Sequence, residues 1–277
     1  MKLKTITVAV AAIAFSGWAA AAQFTAGKDY FETGLKGTAT QGPVKVTEYF
    51  GYWCPHCNNF EPLLEKWIEE TGDSIEFDRV PVAFSTRNPN QVFAQKAYYI
   101  GTQLKSEKAV DSAMFDFYHR YGRISGLFKD LDGIKSDPVA CKLKVDEVVD
   151  TIAAKQAVDK VRLGTILNQE VCAADDRGWG LMALSKSSRG SIRSEETLKG
   201  IFDAAGVNTE KFDKYLNSFS LNSALKAGNK KADAVGIDSV PSIVVNGKYR
   251  VTSGAGFGRM LEVVEFLIEK ENAESKK

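Results

Sequence analysis

The clearest runs of apolar and polar positions meet at one point in the chain. Lys45-Val46-Thr47-Glu48-Tyr49-Phe50 is rich in β-branched and aromatic residues and reads as a strand, after which Phe60, Leu63, Leu64, Trp67 and Ile68 recur at helical spacing. A second strand is expected from Ile75 to Phe84. Asn88-Pro89 then reads as an N-cap followed by the first helical position, and Phe93, Ala97, Ile100 and Leu104 form one apolar stripe of the helix that follows. Val145, Val148, Val149 and Ile152 mark a further amphipathic helix. Near the end, Ile243-Val244-Val245 and Tyr249-Arg250-Val251 flank Asn246-Gly247, the turn pair that most strongly signals a hairpin. Met260, Val264, Leu267 and Ile268 make the closing helix amphipathic, and the Glu/Lys/Ser-rich stretch from Glu269 to Lys277 is expected to be frayed.

The chemistry sits where the first strand hands over to the first helix, at Cys54-Pro55-His56-Cys57. A helix leaves its first four backbone N–H groups without intrahelical partners and carries partial positive charge at that end, so a sulfur placed there is favoured as thiolate. Two thiols three residues apart can also close into a disulfide. Cys54, at the helix end, is the expected nucleophile, and Cys57 lies one turn in. His56 adds a second stabiliser of the Cys54 thiolate, by a hydrogen bond or, when protonated, by charge. Each pKa unit below ambient pH is worth about 1.4 kcal/mol, or roughly 30 mV for a two-electron couple, so the depth of the shift decides whether the pair oxidises or reduces.

Trp53-Cys54-Pro55-His56-Cys57, Pro62 eight residues after the first Cys, and Ser239-Val240-Pro241-Ser242 ahead of a late strand together resemble the thioredoxin superfamily. The Pro-His dipeptide narrows the resemblance to the DsbA family of disulfide oxidases. It implies an α/β, thioredoxin-like fold with an inserted, enlarged helical domain. The expected limits are 23–87 and 221–277 for the two parts of the thioredoxin-like domain and 88–220 for the helical insertion. The matching stretches cover roughly 23–120 and 191–277, and 121–190 is extra to the plain family pattern.

The same resemblance assigns roles. Glu48 matches the buried acidic residue beneath the active-site sulfurs and is the candidate proton donor to Cys57, through water, as that sulfur leaves. Arg79 falls where the family often carries Lys; an Arg can hold Glu48 charged but cannot relay a proton, which argues against the shuttle. The bond before Pro241 is expected to be cis and to face the disulfide, leaving Val240 to pair with an extended substrate. Trp53, with Tyr52 and Phe257, is a candidate apolar contact for substrate, and Pro62 is assigned to structure. The implied reaction is donation of the Cys54-Cys57 disulfide to reduced, unfolded exported proteins through a mixed disulfide on Cys54. A membrane quinone-linked reoxidase of DsbB type is the implied partner, and the protein is expected to be a monomer without cofactor. A reductase or isomerase of the same fold, or a metal-binding module using the four Cys and two His, are the rival readings.

Compartment and charge fit that picture. Lys2 and Lys4, a short apolar run from Ile6 to Phe15, and Ala20-Ala21-Ala22 read as a cleaved secretory leader of residues 1–22, too short in its apolar part to span a bilayer. A periplasmic location follows. The chain carries 36 basic and 35 acidic residues, and loss of Lys2 and Lys4 leaves it near neutrality, with no electrostatic reason to seek nucleic acid. Cys141 and Cys172 remain, and in an oxidising compartment such a pair most simply forms a structural disulfide, contributing about 3 to 4 kcal/mol in the chain-entropy treatment.

Overall fold

The computed structural model describes residues 24–37, 42–129, 131–135 and 137–275; the leader read at residues 1–22 lies outside them. Strands β1 (Phe31–Glu32), β2 (Val44–Phe50), β3 (Ile75–Pro81), β4 (Ser242–Val245) and β5 (Tyr249–Thr252) form one sheet in the order β1-β5-β4-β2-β3. β2 and β3 are parallel and the other pairs antiparallel. A parallel pair needs a crossover, and α1 (Pro55–Thr71), which continues through Pro62, supplies it. Phe60, Leu64 and Trp67 of α1 pack on Val46, Ile243 and Val245 together with Met260, Val264 and Leu267 of the closing helix. The opposite face carries Tyr49, Val80 and Val244 against Ala232 and Val235. With side chains alternating along β2, Glu48 falls on the same face as Val46, beneath α1.

Between β3 and β4 the chain forms the helical domain. It opens with α2 (Pro89–Gln103) and α3 (Glu107–Phe115), and the latter runs into a π-helical stretch, Asp116–Tyr121. Two short helices, α4 (Gly122–Ile124) and α5 (Asp132–Lys135), precede α6 (Pro138–Ala153) and α7 (Lys160–Leu167). A second π-helical stretch, Asn168–Cys172, leads to α8 (Asp176–Ser188), α9 (Glu195–Ala204) and α10 (Phe212–Leu216), and α11 (Phe219–Ala234) returns to the sheet. This domain has its own core, in which Ile100, Met114, Phe117, Val145, Leu181 and Phe202 are buried. Phe50, Tyr52, Cys54 and Cys57 belong to that same core, so the redox pair lies where the two domains meet. Cys141 on α6 is joined to Cys172, across a Cα–Cα distance of 5.7 Å.

Local signals account for the boundaries. The Asn88 side chain accepts from Asn90 N–H at the start of α2, with Pro89 at the first position. Asn246 and Gly247 both have positive φ, 51° and 72°, and Lys248 N–H donates to Val245 O across the turn at 3.0 Å. Two expectations need correction, and one strand was not foreseen. The strand expected to reach Phe84 ends at Pro81; after Val82 N–H bonds Phe50 O the chain leaves the sheet, and Phe84 is exposed. The stretch expected to fray from Glu269 is helical as far as it is described: α12 (Phe257–Glu274) takes in its first part, because Glu271 is buried and accepts from Lys248 Nζ at 2.8 and 2.9 Å and from Asn246 Nδ2, and residues 276 and 277 lie outside the described residues. Strand β1 had no sequence signal, since both of its residues are exposed.

Candidate active site

The site begins with a turn at a glycine that leaves room for the Trp53 ring. After Phe50 the chain passes Gly51, where a Cβ would lie 2.7 Å from the Trp53 ring, and Gly51 O accepts from Cys54 N–H at 2.9 Å. Cys54 is the N-cap of α1, in extended conformation (φ −90°, ψ 118°), and Pro55 follows as the first helical residue. Because Pro55 has no N–H, the first amides the helix can offer are those of His56 and Cys57, and both favour the charged form of the Cys54 sulfur without closing a cap hydrogen bond to it. No acidic residue in the first turn opposes them. Cys54 Sγ also lies 3.4 Å from the carbonyl oxygen of Val240, and the Val240-Pro241 bond is cis.

The two sulfurs are held differently. The Cys54 thiol is lowered to about 6, chiefly by a hydrogen bond from the Cys57 thiol, with the two helix amides and the charge of exposed His56 adding to it against the cost of burial. Cys57 is fully buried, and its pKa is pushed far up by that burial, by its bond to Cys54 and by the Glu48 charge. At neutral pH the pair therefore favours thiolate on Cys54 and thiol on Cys57. The sequence had pointed to the helix end and His56; the larger contribution of the Cys57 thiol needed the structure.

Glu48 is completely buried, and Arg79 Nε donates to its Oε2 at 2.7 Å. Arg79 does not serve Glu48 alone. Its Nη1 and Nη2 donate to Glu61 at 2.9 and 2.6 Å, Nη1 reaches Asp111 at 3.2 Å, and the guanidinium stacks 4.2 Å from the Phe50 ring centre. One cation among three carboxylates cannot keep all of them ionised at full strength. Burial, reinforced by Glu61 and Asp111 and opposed by Arg79, raises Glu48 to about 7; burial raises Asp111 to about 6 against the pull of Arg79 and of a Tyr52 hydrogen bond. The expectation that Arg79 simply holds Glu48 charged is therefore corrected by residues from α1 and α3.

Other candidates divide. Trp53 is half-buried and packs edge-on against exposed Phe84, with ring centroids 5.8 Å apart, and Val240 is half-buried against the same core. Tyr52 cannot offer substrate an apolar surface: it is fully buried, and its hydroxyl donates to Asp111. Phe257 is turned onto Phe60 at 5.1 Å. Cys141 and Cys172 lie in the inserted domain, not at the redox pair. Sequence reasoning missed Glu61, Asp111 and His119, whose Nε2 lies 2.6 Å from the Tyr52 carbonyl oxygen and whose pKa burial lowers.

A paired thiolate and thiol that can open and close a disulfide, set on a thioredoxin-like sheet, make this chain a thiol:disulfide oxidoreductase. The family model described as DSBA-like thioredoxin domain matches residues 45–262, and the chain belongs to that family. It is 27% identical over 282 residues to the thiol:disulfide interchange protein DsbA of Pseudomonas aeruginosa, covering all of both chains, and 24% identical over 274 residues to that of Burkholderia cepacia, covering 97% of this chain and 95% of the relative. The crystal structure of Pseudomonas aeruginosa DsbA shares the fold, with a TM-score of 0.63 at 24% identity over 93% of this chain and 99% of the other.

The Cys54 assignment has a consequence for stability. A thiol whose folded pKa lies below its unfolded value near 9 stabilises the fold fully above that value, and the contribution is lost as pH falls through about 6. Cys57 remains protonated in both states below about pH 8, and Glu48 and Asp111 titrate in the oxidised protein too. The reduced form should thus gain on the oxidised form between pH 5 and 8, by on the order of 1 kcal/mol at pH 7 once solvent screening is allowed for. Denaturant midpoints of both forms, read beside thiolate absorbance of the reduced protein, test this; a pH-independent difference with no thiolate below pH 8 contradicts it.

Proposed function

We propose that the protein is an oxidase, which donates a Cys54-Cys57 disulfide to reduced, unfolded exported proteins. A substrate thiolate attacks the Cys54 sulfur, the electrons of the broken bond go to Cys57, which takes up a proton, and a second substrate thiol releases the new disulfide. The observation that carries this reading is the unequal pair: at neutral pH the fold favours the Cys54 thiolate, so it favours the reduced dithiol and makes the disulfide an oxidant. A Cys54 pKa of about 6 lies one unit below neutrality and moves the couple toward oxidation by roughly 30 mV. A reductase of the same fold carries less of this bias, since its nucleophilic thiol sits closer to neutrality. A metal-binding module has less support: among the described residues no group of three or more His, Cys, Asp or Glu is placed to hold an ion.

The remaining assignments follow from this reading. Val240, whose carbonyl lies beside the Cys54 sulfur, and Trp53, the residue before Cys54, receive the substrate, Pro241 follows Val240, His56 supports the thiolate, and Glu48 exchanges a proton with Cys57. The thioredoxin-like parts are 23–87 and 221–277, separated by the helical insertion 88–220. The protein acts in the periplasm as a monomer, after export by its leader, and is reoxidised by a membrane quinone-linked enzyme of DsbB type. No helix among the described residues is long and apolar enough to cross a membrane.

Oxidation of a reduced test peptide tests the order of events. Cys57→Ser, loaded beforehand with glutathione as a mixed disulfide on Cys54, should exchange glutathione for the peptide thiol and accumulate peptide disulfide-linked to Cys54, Pro241→Thr should slow release of the same adduct from the oxidised protein, and Cys54→Ser should abolish turnover; adducts forming on Cys57 in the wild-type protein would overturn the assignment. The Cys141–Cys172 link is proposed to be structural. Changing both to Ser should lower stability by about 3 kcal/mol with peptide oxidation nearly unchanged, whereas lost turnover at full stability would assign the link to the chemistry.

A further inference from the structure

Asp111 reaches the redox site from outside the thioredoxin-like domain. It lies on α3, with only 17% of its side chain exposed, and holds two groups at once: its Oδ2 accepts from Arg79 Nη1 at 3.2 Å and its Oδ1 accepts from the buried Tyr52 hydroxyl, two residues before Cys54. Glu61 occupies both terminal nitrogens of Arg79. Glu48 is met by Nε alone, through its Oε2, and Glu48 Oε1 is buried without a hydrogen-bond partner. A buried carboxylate oxygen with no donor costs more than a neutral carboxyl group in the same place.

We propose that Asp111 is a positioning residue of the redox site, anchoring the Arg79 guanidinium from the helical domain so that Glu48 keeps one unbonded oxygen and can hold the proton that Cys57 exchanges. This rests on the reading that Glu48 serves Cys57. In the forward step the substrate thiolate supplies the electron pair of the new S–S bond, the pair of the broken bond passes to Cys57, Glu48 gives up its proton to that sulfur, and water restores it. The groups facing Glu48 are Arg79 from β3, Glu61 and Cys57 from α1, and Asp111 from α3. Those facing Asp111 are Arg79, Glu61, Tyr52, Glu107 of its own helix and Tyr98 of α2. Asp111 and Glu61 also line a cleft of about 420 Å³ with Lys108, Glu65 and Asp116. Deleting the Asp111 charge leaves Arg79 two carboxylates instead of three, and both the lost repulsion and the stronger pull of Arg79 favour ionised Glu48.

The test compares wild type, Asp111→Asn and Asp111→Glu in two measurements. The first is the carboxyl titration of Glu48 by carbon-13 NMR in protein labelled at Glu. The second is the pH profile of the rate at which Cys57 displaces glutathione from a mixed disulfide on Cys54, a step that requires Cys57 to lose its proton. In Asp111→Asn the Glu48 midpoint should fall by about one pH unit or more, the acid limb of the displacement profile should move with it, and Asp111→Glu should restore both. An unchanged Glu48 midpoint overturns the proposal. A lowered midpoint with an unmoved profile instead overturns the reading of Glu48 as proton partner of Cys57, and the proposal with it. Should the Asn variant not fold, Asp111→Ser removes the same charge and is judged by the same criteria.

Discussion

A thiol loses its proton near neutrality only when the resulting charge is met by donors already in place, and here the principal donor is the other half of the disulfide. Cys57, buried one turn into α1, keeps its proton and points it at Cys54. The helix amides of His56 and Cys57 supply the rest of the cradle, because Pro55 has none to give and no acidic side chain stands in the first turn. The surrounding structure serves this inequality between two chemically identical side chains. The domain boundary buries Cys57, the glycine turn delivers Cys54 to the helix end, and the Val240 carbonyl marks the sulfur's open side.

Burying one thiol creates a second problem, since a sulfur leaving as thiolate must be protonated at a position with no surface exposed to solvent. Glu48 is the only acid of β2, and the sheet's alternation puts it under α1. Paired one to one with Arg79 it would stay ionised. The guanidinium is instead divided among Glu48, Glu61 and Asp111, which come from β2, α1 and α3, so the proton affinity of Glu48 depends on how the helical domain sits against the thioredoxin-like domain. The inserted domain is thereby connected to the redox pair by charge as well as by packing.

Much of this was legible along the chain. Strand, Cys-Pro-His-Cys and helix follow one another within local sequence, as do the Asn88-Pro89 start of α2 and the Asn246-Gly247 turn, because each signal acts over a few residues. Glu48 and Arg79 could be paired through a family resemblance. Glu61 and Asp111 could not: each is one acidic residue among many on helices with polar faces, and periodicity does not say which polar position turns inward to a distant cation. His119 sits in a π-helical stretch whose register departs from the helical period on which such readings depend. Glu271 was misread because a charged terminal segment resembles a solvated tail until Lys248 and Asn246 are known to face it. Tyr52 was misread for the complementary reason, an aromatic beside an active cysteine being equally suited to a surface or a core.

The measurement that bears most directly on the unequal pair is the reduction potential, obtained from equilibrium with glutathione, as a function of pH. With Cys54 as thiolate and Cys57 as thiol, two electrons carry one proton, and the potential should fall by roughly 30 mV per pH unit through neutrality. Below a break near pH 6, where Cys54 takes up its own proton, the slope should steepen to roughly 59 mV. A single slope of roughly 59 mV from pH 5 to 8 would mean that both sulfurs are protonated in the reduced protein, and the inequality between Cys54 and Cys57 would not exist.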